Sequence, residues 1–350
     1  MISKNLPKFV LLLTIFVSVA CSRTEDNVSL TETIVEIEVD ELVRKASLRN
    51  QEIPFTIIDS NGEDLTELAT FYVDGVAIDG NVFTSDVIGD FEVYGVYTQD
   101  GVETITNTED FSVIIPKRKI VIEDYTGTWC GWCPRVAGAI MSLKEETDDI
   151  AIIAIHETAT PSDPMHFDQV QVLKDAYDIG GFPAGKINRT EDWVSPYSNS
   201  DITGIAGQDT NLALSINSEI DGSELVVQVN VVSEEAIEAT DKLVVYLLED
   251  GIVYPQANYL NNDASSQFYG LGDPIPDFVH DEVLRDALSA VLGDQISATE
   301  ALTEYISSYT FELPSDYVVD NLLLVAMVVD ENNTAKNAQV AHVNENKPYE

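Results

Sequence analysis

A chain of 350 residues with 45% hydrophobic composition is long enough for two or three packed domains, and that composition excludes general disorder. The formal net charge of −43 excludes nucleic acid as an ordinary partner, because like charge repels polyanions over the Debye length. No basic patch is hidden in the last part, where 4 Lys or Arg stand against 25 Asp or Glu from Asn211 onward.

The first residues, "MISKNLPKFVLLLTIFVSVAC", place Lys4 and Lys8 before an apolar run, 9–19, that is too short to span a bilayer comfortably. This is the pattern of a targeting segment. Ser18, Val19 and Ala20 lead to Cys21, a junction that resembles the lipobox of bacterial lipoproteins. The resemblance implies a signal peptide over 1–20 and a lipid on Cys21 that holds the chain to a membrane, followed by a polar tether over 21–29. An ordinary secretory signal cut near Ala20 would instead leave Cys21 a free thiol. Ser22 after the cysteine resembles an outer-membrane address, and Glu25 with Asp26 resembles a surface-export tag, so the periplasmic face and the cell surface both remain open.

The segment "TIVEIEVD" alternates Val35, Ile37 and Val39 with Glu36, Glu38 and Asp40, the period of a half-buried strand. "IPFTIID", "ATFYVDG" and "GDFEVYGVYT" follow, separated by turn signals such as Asn61-Gly62 and Asp79-Gly80. Residues 30–115 therefore read as a small immunoglobulin-like β-sandwich. "DSNGED", 59–64, has oxygens suited to calcium but not the spacing of a known loop, and it reads as a hairpin turn. "PKRK", 116–119, reads as a solvated linker.

Residues 116–209 alternate element types: the strand "KIVIEDY", a helix over 134–144 with Val136, Ile140 and Leu143 on one face, the strand "IAIIAIH", and a second helix over about 168–177. Strand, helix, strand with a short crossover predicts a parallel pair joined right-handedly. From 210 to 350 the chain returns to strands, "NLALSIN", "ELVVQVNVV", "KLVVYLLED" and "NLLLVAMVVD", with a helix expected over 281–288. This part reads as a C-terminal β-sandwich with a helical insertion.

The chain has 3 cysteines, and lipidation of Cys21 would leave Cys130 and Cys133, in "WCGWCP", to answer to each other. A metal site would need about four ligands, and beyond these two thiolates there are only scattered histidines. A structural staple across two intervening residues closes a loop too small to restrain much of the unfolded chain. A redox pair fits the local architecture, since the first sulfur would sit at the N-terminus of the helix. There the dipole and free N–H groups lower a cysteine pKa from about 8.5 toward roughly 3.5–7.5. Cys130 is then the nucleophile and Cys133 the resolving residue.

"WCGWCP" after an apolar strand, with "GFPAG" later, resembles the thioredoxin superfamily. That resemblance makes the fold an α/β thioredoxin-like domain flanked by two all-β sandwich domains. It also matches Pro183 to the superfamily's cis-proline, which faces the disulfide and presents backbone to a substrate peptide, and Asp124 to the buried acid beneath the resolving cysteine. Phe182 stands where Thr, Val or Ile is commoner, and Trp132 replaces a proline. The lipoprotein start together with "IEDYTGTWCGWCPR", "IHETATPSDPMHF", "GGFPAGKINR" and "FVHDEVLR" resembles the family related to outer membrane protein twenty-eight, thioredoxin-like envelope lipoproteins of Gram-negative bacteria.

Strand alternation puts Ile120, Ile122 and Asp124 on one face and Val121, Glu123 and Tyr125 on the other. His156 ends a parallel strand on the edge that presents Cys130, where it either relays protons or fixes the following loop. Trp129, Trp132 and Phe182 are candidates for an apolar platform under a docking peptide. The expected activity is thiol-disulfide exchange with exported proteins and an unidentified redox partner, with no organic cofactor and no metal. The alternative is a surface adhesion or ligand-binding lipoprotein that uses the same fold as a scaffold. An accessible Cys130 beside Pro183 speaks for the first, a sealed one for the second.

Overall fold

The computed structural model describes residues 35–38, 46–59, 61–99, 101–160 and 162–350. The leader 1–20, Cys21 and the tether 21–29 lie outside the described residues.

Nine strands form the central sheet, and the order of its main path explains the molecule: Glu191–Trp193, Ala184–Ile187, Ile120–Thr126, Ile150–His156, Val283–Ala287, Lys242–Glu249, Leu322–Val329, Ala335–His342. Ile120–Thr126 and Ile150–His156 pair in parallel over their full length, as a strand–helix–strand crossover requires. Ala184–Ile187 returns antiparallel on the other side. The strands "IAIIAIH" and "LLLVAMVV" read as unbroken apolar runs because both of their faces are buried.

Alternate residues of these strands serve different cores. Ile120, Ile122, Ile150 and Ile152 meet the helix Pro134–Lys144 through Val136, Ile140 and Leu143. Val121, Ile153 and Ile155 face the opposite way, toward Val170 and Leu173 of the helix Val170–Ala176, in a core that continues through Val244, Leu248 and Met327. On the far half of the sheet, Leu243, Val245 and Leu324 pack on Leu214, Val227 and Val229 of a separate four-stranded sheet. The C-terminal residues thus form a two-layer β structure, one layer of which is continuous with the sheet of residues 120–193.

The seam between the halves is narrow. Ala154 pairs with Val283 in parallel, and the Ala154 N–H donates to the Glu282 carbonyl at 2.8 Å. Residues 281–288, expected as a helix, are instead a turn with Glu282 at φ +51 followed by the strand Val283–Ala287. Its pairing with Lys242–Glu249 and with Ile150–His156 overrides the local helical spacing. The "PKRK" segment is also docked rather than a free linker, with Lys117 ion-paired to Asp209 and Lys119 to Glu350.

Ahead of the central sheet, a six-stranded sheet and short strand pairs enclose Phe55, Phe71, Val93 and Phe111. Asp59 closes the 59–64 turn by accepting from the N–H groups of Asn61 and Glu63, which holds its carboxyl below the usual range.

A buried charge ties the two halves of the central sheet together. Arg189, with no exposure, donates to Glu123 at 2.9 Å and to the Tyr246 hydroxyl at 2.8 Å, and Tyr125 donates to the second Glu123 oxygen at 2.9 Å. Burial pushes the Tyr246 hydroxyl up to about 12, against the pull of Arg189. Arg189→Ala leaves Glu123 uncompensated and is expected to cost about 3–5 kcal/mol. Replacing both partners by apolar residues of similar volume should cost much less. Denaturant unfolding of the oxidised protein measures both.

Candidate functional site

Cys130 and Cys133 are joined as a disulfide. Turn hydrogen bonds from the Cys130 N–H to the Gly127 carbonyl and from the Cys133 N–H to the Cys130 carbonyl lead into the helix at Pro134, whose missing N–H costs nothing in a first turn. The sulfurs therefore lie where the strand Ile120–Thr126 hands over to a helix N-terminus. The Tyr125–Ala184 register brings Pro183 beside the end of that strand, and the Phe182–Pro183 bond is cis. Phe182 meets Trp129 edge to face at 5.7 Å, while the Trp129 indole N–H donates to the Glu157 carbonyl at 2.8 Å. Trp132 is 42% exposed, with Arg135 stacked 4.0 Å above its ring.

Asp124 and Glu123 diverge as strand geometry requires. Glu123 joins Arg189 on one face, and Asp124 points under the cysteine helix into a cavity of about 70 Å³. Cys133, His156, Gln256 and His280 share that cavity. Asp124 is 4% exposed and its Oδ1 has no hydrogen-bond partner. Burial pushes its carboxyl up to about 8. A proton therefore sits on Asp124 at neutral pH, within reach of exchange.

His156 is buried, and its Nδ1 lies 2.9 Å from Asp163. Burial would raise the Asp163 carboxyl, but His156 and the N–H groups of Thr128 and Met165 hold it low. As a carboxylate, Asp163 accepts, so Nδ1 carries a proton. His156 thus fixes the following loop and also lines the cavity. Its ring lies 5.2 Å from that of His280, which burial pulls down to about 4, leaving it neutral.

Both sulfurs are covered: Cys130 is 5% and Cys133 2% exposed. The expected contrast between an open Cys130 and a shielded Cys133 is small because residues 254–278 lie across the turn between them. The Ala257 N–H donates to the Thr128 carbonyl and the Tyr259 N–H to the Gly131 carbonyl, each at 2.8 Å. The Gln256 amide reaches the Cys130 carbonyl at 3.0 Å. Sequence reasoning missed Gln256, Tyr259 and His280. The signal was an aromatic-rich connection, with Tyr254, Tyr259, Phe268, Tyr269 and Phe278, longer than ordinary loops.

A thioredoxin profile matches residues 102–204, and the profile of the family described as outer membrane protein Omp28 matches residues 170–347, just over half of the chain. The chain belongs to the Omp28 family. The two matches overlap over residues 170–204, which include the strands Ala184–Ile187 and Glu191–Trp193 at one edge of the central sheet. In structure the chain is similar to HBP35 of Porphyromonas gingivalis, with a TM-score of 0.50 at 20% identity over 66% of this chain and 77% of that one, a likeness that shows the fold. Surface layer protein SbsC, domains 4–9, aligns at 12% identity over 90% of this chain and 50% of that one, but its TM-score of 0.16 carries no argument. Among curated proteins none matches. Among the described residues no helix is long and apolar enough to cross a membrane, and no three His, Cys, Asp or Glu are grouped to hold a metal ion.

The Asp124 carboxyl titrates higher folded than unfolded, where its pKa is about 3.9. Between about pH 4 and about pH 8 the unfolded chain has lost a proton that the folded one keeps, so stability falls as pH rises through that window. Asp124→Asn is expected to remove that slope, on the order of 1 kcal/mol per pH unit, and to be the more stable protein toward its upper end. Melting temperatures of both oxidised proteins across the window test this.

Proposed function

We propose that this chain is a cell-envelope thiol-disulfide oxidoreductase acting on exported proteins, lipid-anchored through Cys21 at the outer membrane, with the N-terminal β unit as an immunoglobulin-like spacer. The observation that carries the reading is Asp124: a buried carboxyl whose Oδ1 has no hydrogen-bond partner, sharing a cavity with Cys133. Such a group costs stability and does nothing for a passive scaffold, whereas perturbed acids of this kind cluster at working sites.

Starting from the disulfide, a substrate thiolate attacks Cys130 Sγ and the Cys130–Cys133 bond breaks. Cys133 leaves as a thiolate and takes up the proton that Asp124 carries, and Asp124 is reprotonated from solvent, with His156 as a relay. A second substrate thiolate attacks the substrate sulfur of the mixed disulfide and releases Cys130. Two electrons have moved from the substrate dithiol to the pair, and the reverse sequence reduces a substrate disulfide. Trp129, Trp132 and Phe182 form the apolar border, and Pro183 supplies backbone beside the sulfurs.

A second reading, adhesion or ligand binding on a thioredoxin scaffold, is favoured by the burial of Cys130. Equilibration in glutathione buffers separates the two: the oxidoreductase reaches a reproducible reduced fraction, and a sealed scaffold stays oxidised. In the active case, Cys133→Ser should accumulate mixed disulfides through Cys130. In the reducing direction, where Cys130 attacks a substrate disulfide and Cys133 then resolves the mixed disulfide, Asp124→Asn should slow resolution by roughly 10²-fold while leaving the first attack much less affected. Stopped-flow measurement of the two steps decides, and equal slowing of both would remove Asp124 from proton transfer.

A further inference from the structure

The segment 254–278 is a built element. Its neck is the antiparallel pair Ile252–Val253 with Val279–His280, and Leu260, Phe268, Ile275 and Phe278 give it a small core of its own. Asn258 braces its interior by donating to the Phe268 carbonyl at 3.0 Å and the Gly272 carbonyl at 2.9 Å. This preformed element, rather than a loose loop, is seated on the cysteine turn.

Tyr259 makes the decisive contact. Its N–H binds the Gly131 carbonyl, and its ring stands edge-on to Trp132 at 5.5 Å. The ring lies so close to Gly131 that a Cβ built there would be 2.4 Å from it, and Gly131 is buried. The stretch 180–183, which meets the cysteine turn through Phe182 and Trp129, is different. Gly180 and Gly181 are exposed with nothing within 4 Å of a Cβ built on either, and Phe182 and Pro183 are half-buried. The Gly131 side of the cysteine turn is filled by the chain's own segment, and the backbone at 180–181 is open.

We infer that Tyr259 is a specificity-determining residue of the exchange site. It closes the Gly131 side to bulky partners, so that the disulfide exchanges with thiols and disulfides on small molecules and on extended peptide segments laid along 180–183, and excludes those in folded proteins. The inference deepens the oxidoreductase reading and rests on it. A folded protein presents its disulfide within a convex surface that must clear both borders, whereas an extended segment needs only the open one.

The test uses two readouts. In the first, the reduced chain is treated with N-ethylmaleimide or with a polyethylene-glycol maleimide, and labelling at Cys130 is mapped by mass spectrometry. The wild type is expected to take the bulky reagent at least roughly tenfold more slowly than the small one, because the bulky one must wait for local opening. Tyr259→Ala should bring the two rates together, and Tyr259→Phe, which keeps the ring, should behave as wild type. In the second, one disulfide is offered to the oxidoreductase both within its folded protein and as an excised peptide. Tyr259→Ala should raise the rate with the folded form roughly tenfold and leave the peptide rate little changed. Equal labelling of the wild type by both reagents, or equal change with both substrates, would overturn the inference. A wild type that exchanges with neither substrate yet discriminates between the maleimides would leave the cover in place and remove the oxidoreductase reading.

Discussion

The architecture hangs on a cation that has nowhere to go. Arg189 has no contact with water, so its charge must be met by groups the fold brings to it. One of them, Glu123, comes from the strand that leads to the cysteines, and the other, Tyr246, from a strand of the C-terminal half. Each half of the sheet carries part of a polar cluster that neither could bury alone. Burial of an ion without its partner costs several kcal/mol, comparable to the whole stability of a domain, so the cluster commits the two halves to one another.

The adjacent residue turns the same physics to the opposite use. Glu123 and Asp124 are neighbours, and the pleat sends them to opposite faces. Glu123 finds an arginine and a tyrosine. Asp124 finds a small cavity, no hydrogen-bond donor for one oxygen, and Cys133. Low dielectric surrounds both, and pairing alone decides whether the carboxyl is tied into the sheet or left with an unmet oxygen. The walls of that cavity include His156 from the thioredoxin-like half and Gln256 and His280 from the C-terminal half, so the site is completed only when the sheet is.

Much of this was legible from sequence where the signal was local. Val136, Ile140 and Leu143 marked the helix Pro134–Lys144, the apolar runs on either side marked a parallel pair, and alternation along 120–125 separated Asp124 from Glu123. What was not legible depended on pairing between distant segments. Strands buried on both faces carry no record of which neighbour lies on each edge, so nothing in "IAIIAIH" announced Val283 beside Ala154. Residues 281–288 carried a helical spacing that yielded to sheet hydrogen bonds supplied from 150–156 and 242–249. Tyr259 looked like one aromatic among several because its meaning lies in its contact with Gly131, more than a hundred positions earlier.

The placement of the cover late in the chain has a consequence for biosynthesis. A polypeptide is made from its N-terminus, so Cys130 and Cys133 emerge before Gln256, Tyr259 and His280 have been added. During that interval the strand Ile150–His156 lacks its neighbour Val283–Ala287, Arg189 lacks Tyr246, and nothing lies across Gly131. The nascent chain therefore offers both thiols to whatever oxidant its surroundings contain, and the finished one has closed over the bond that results.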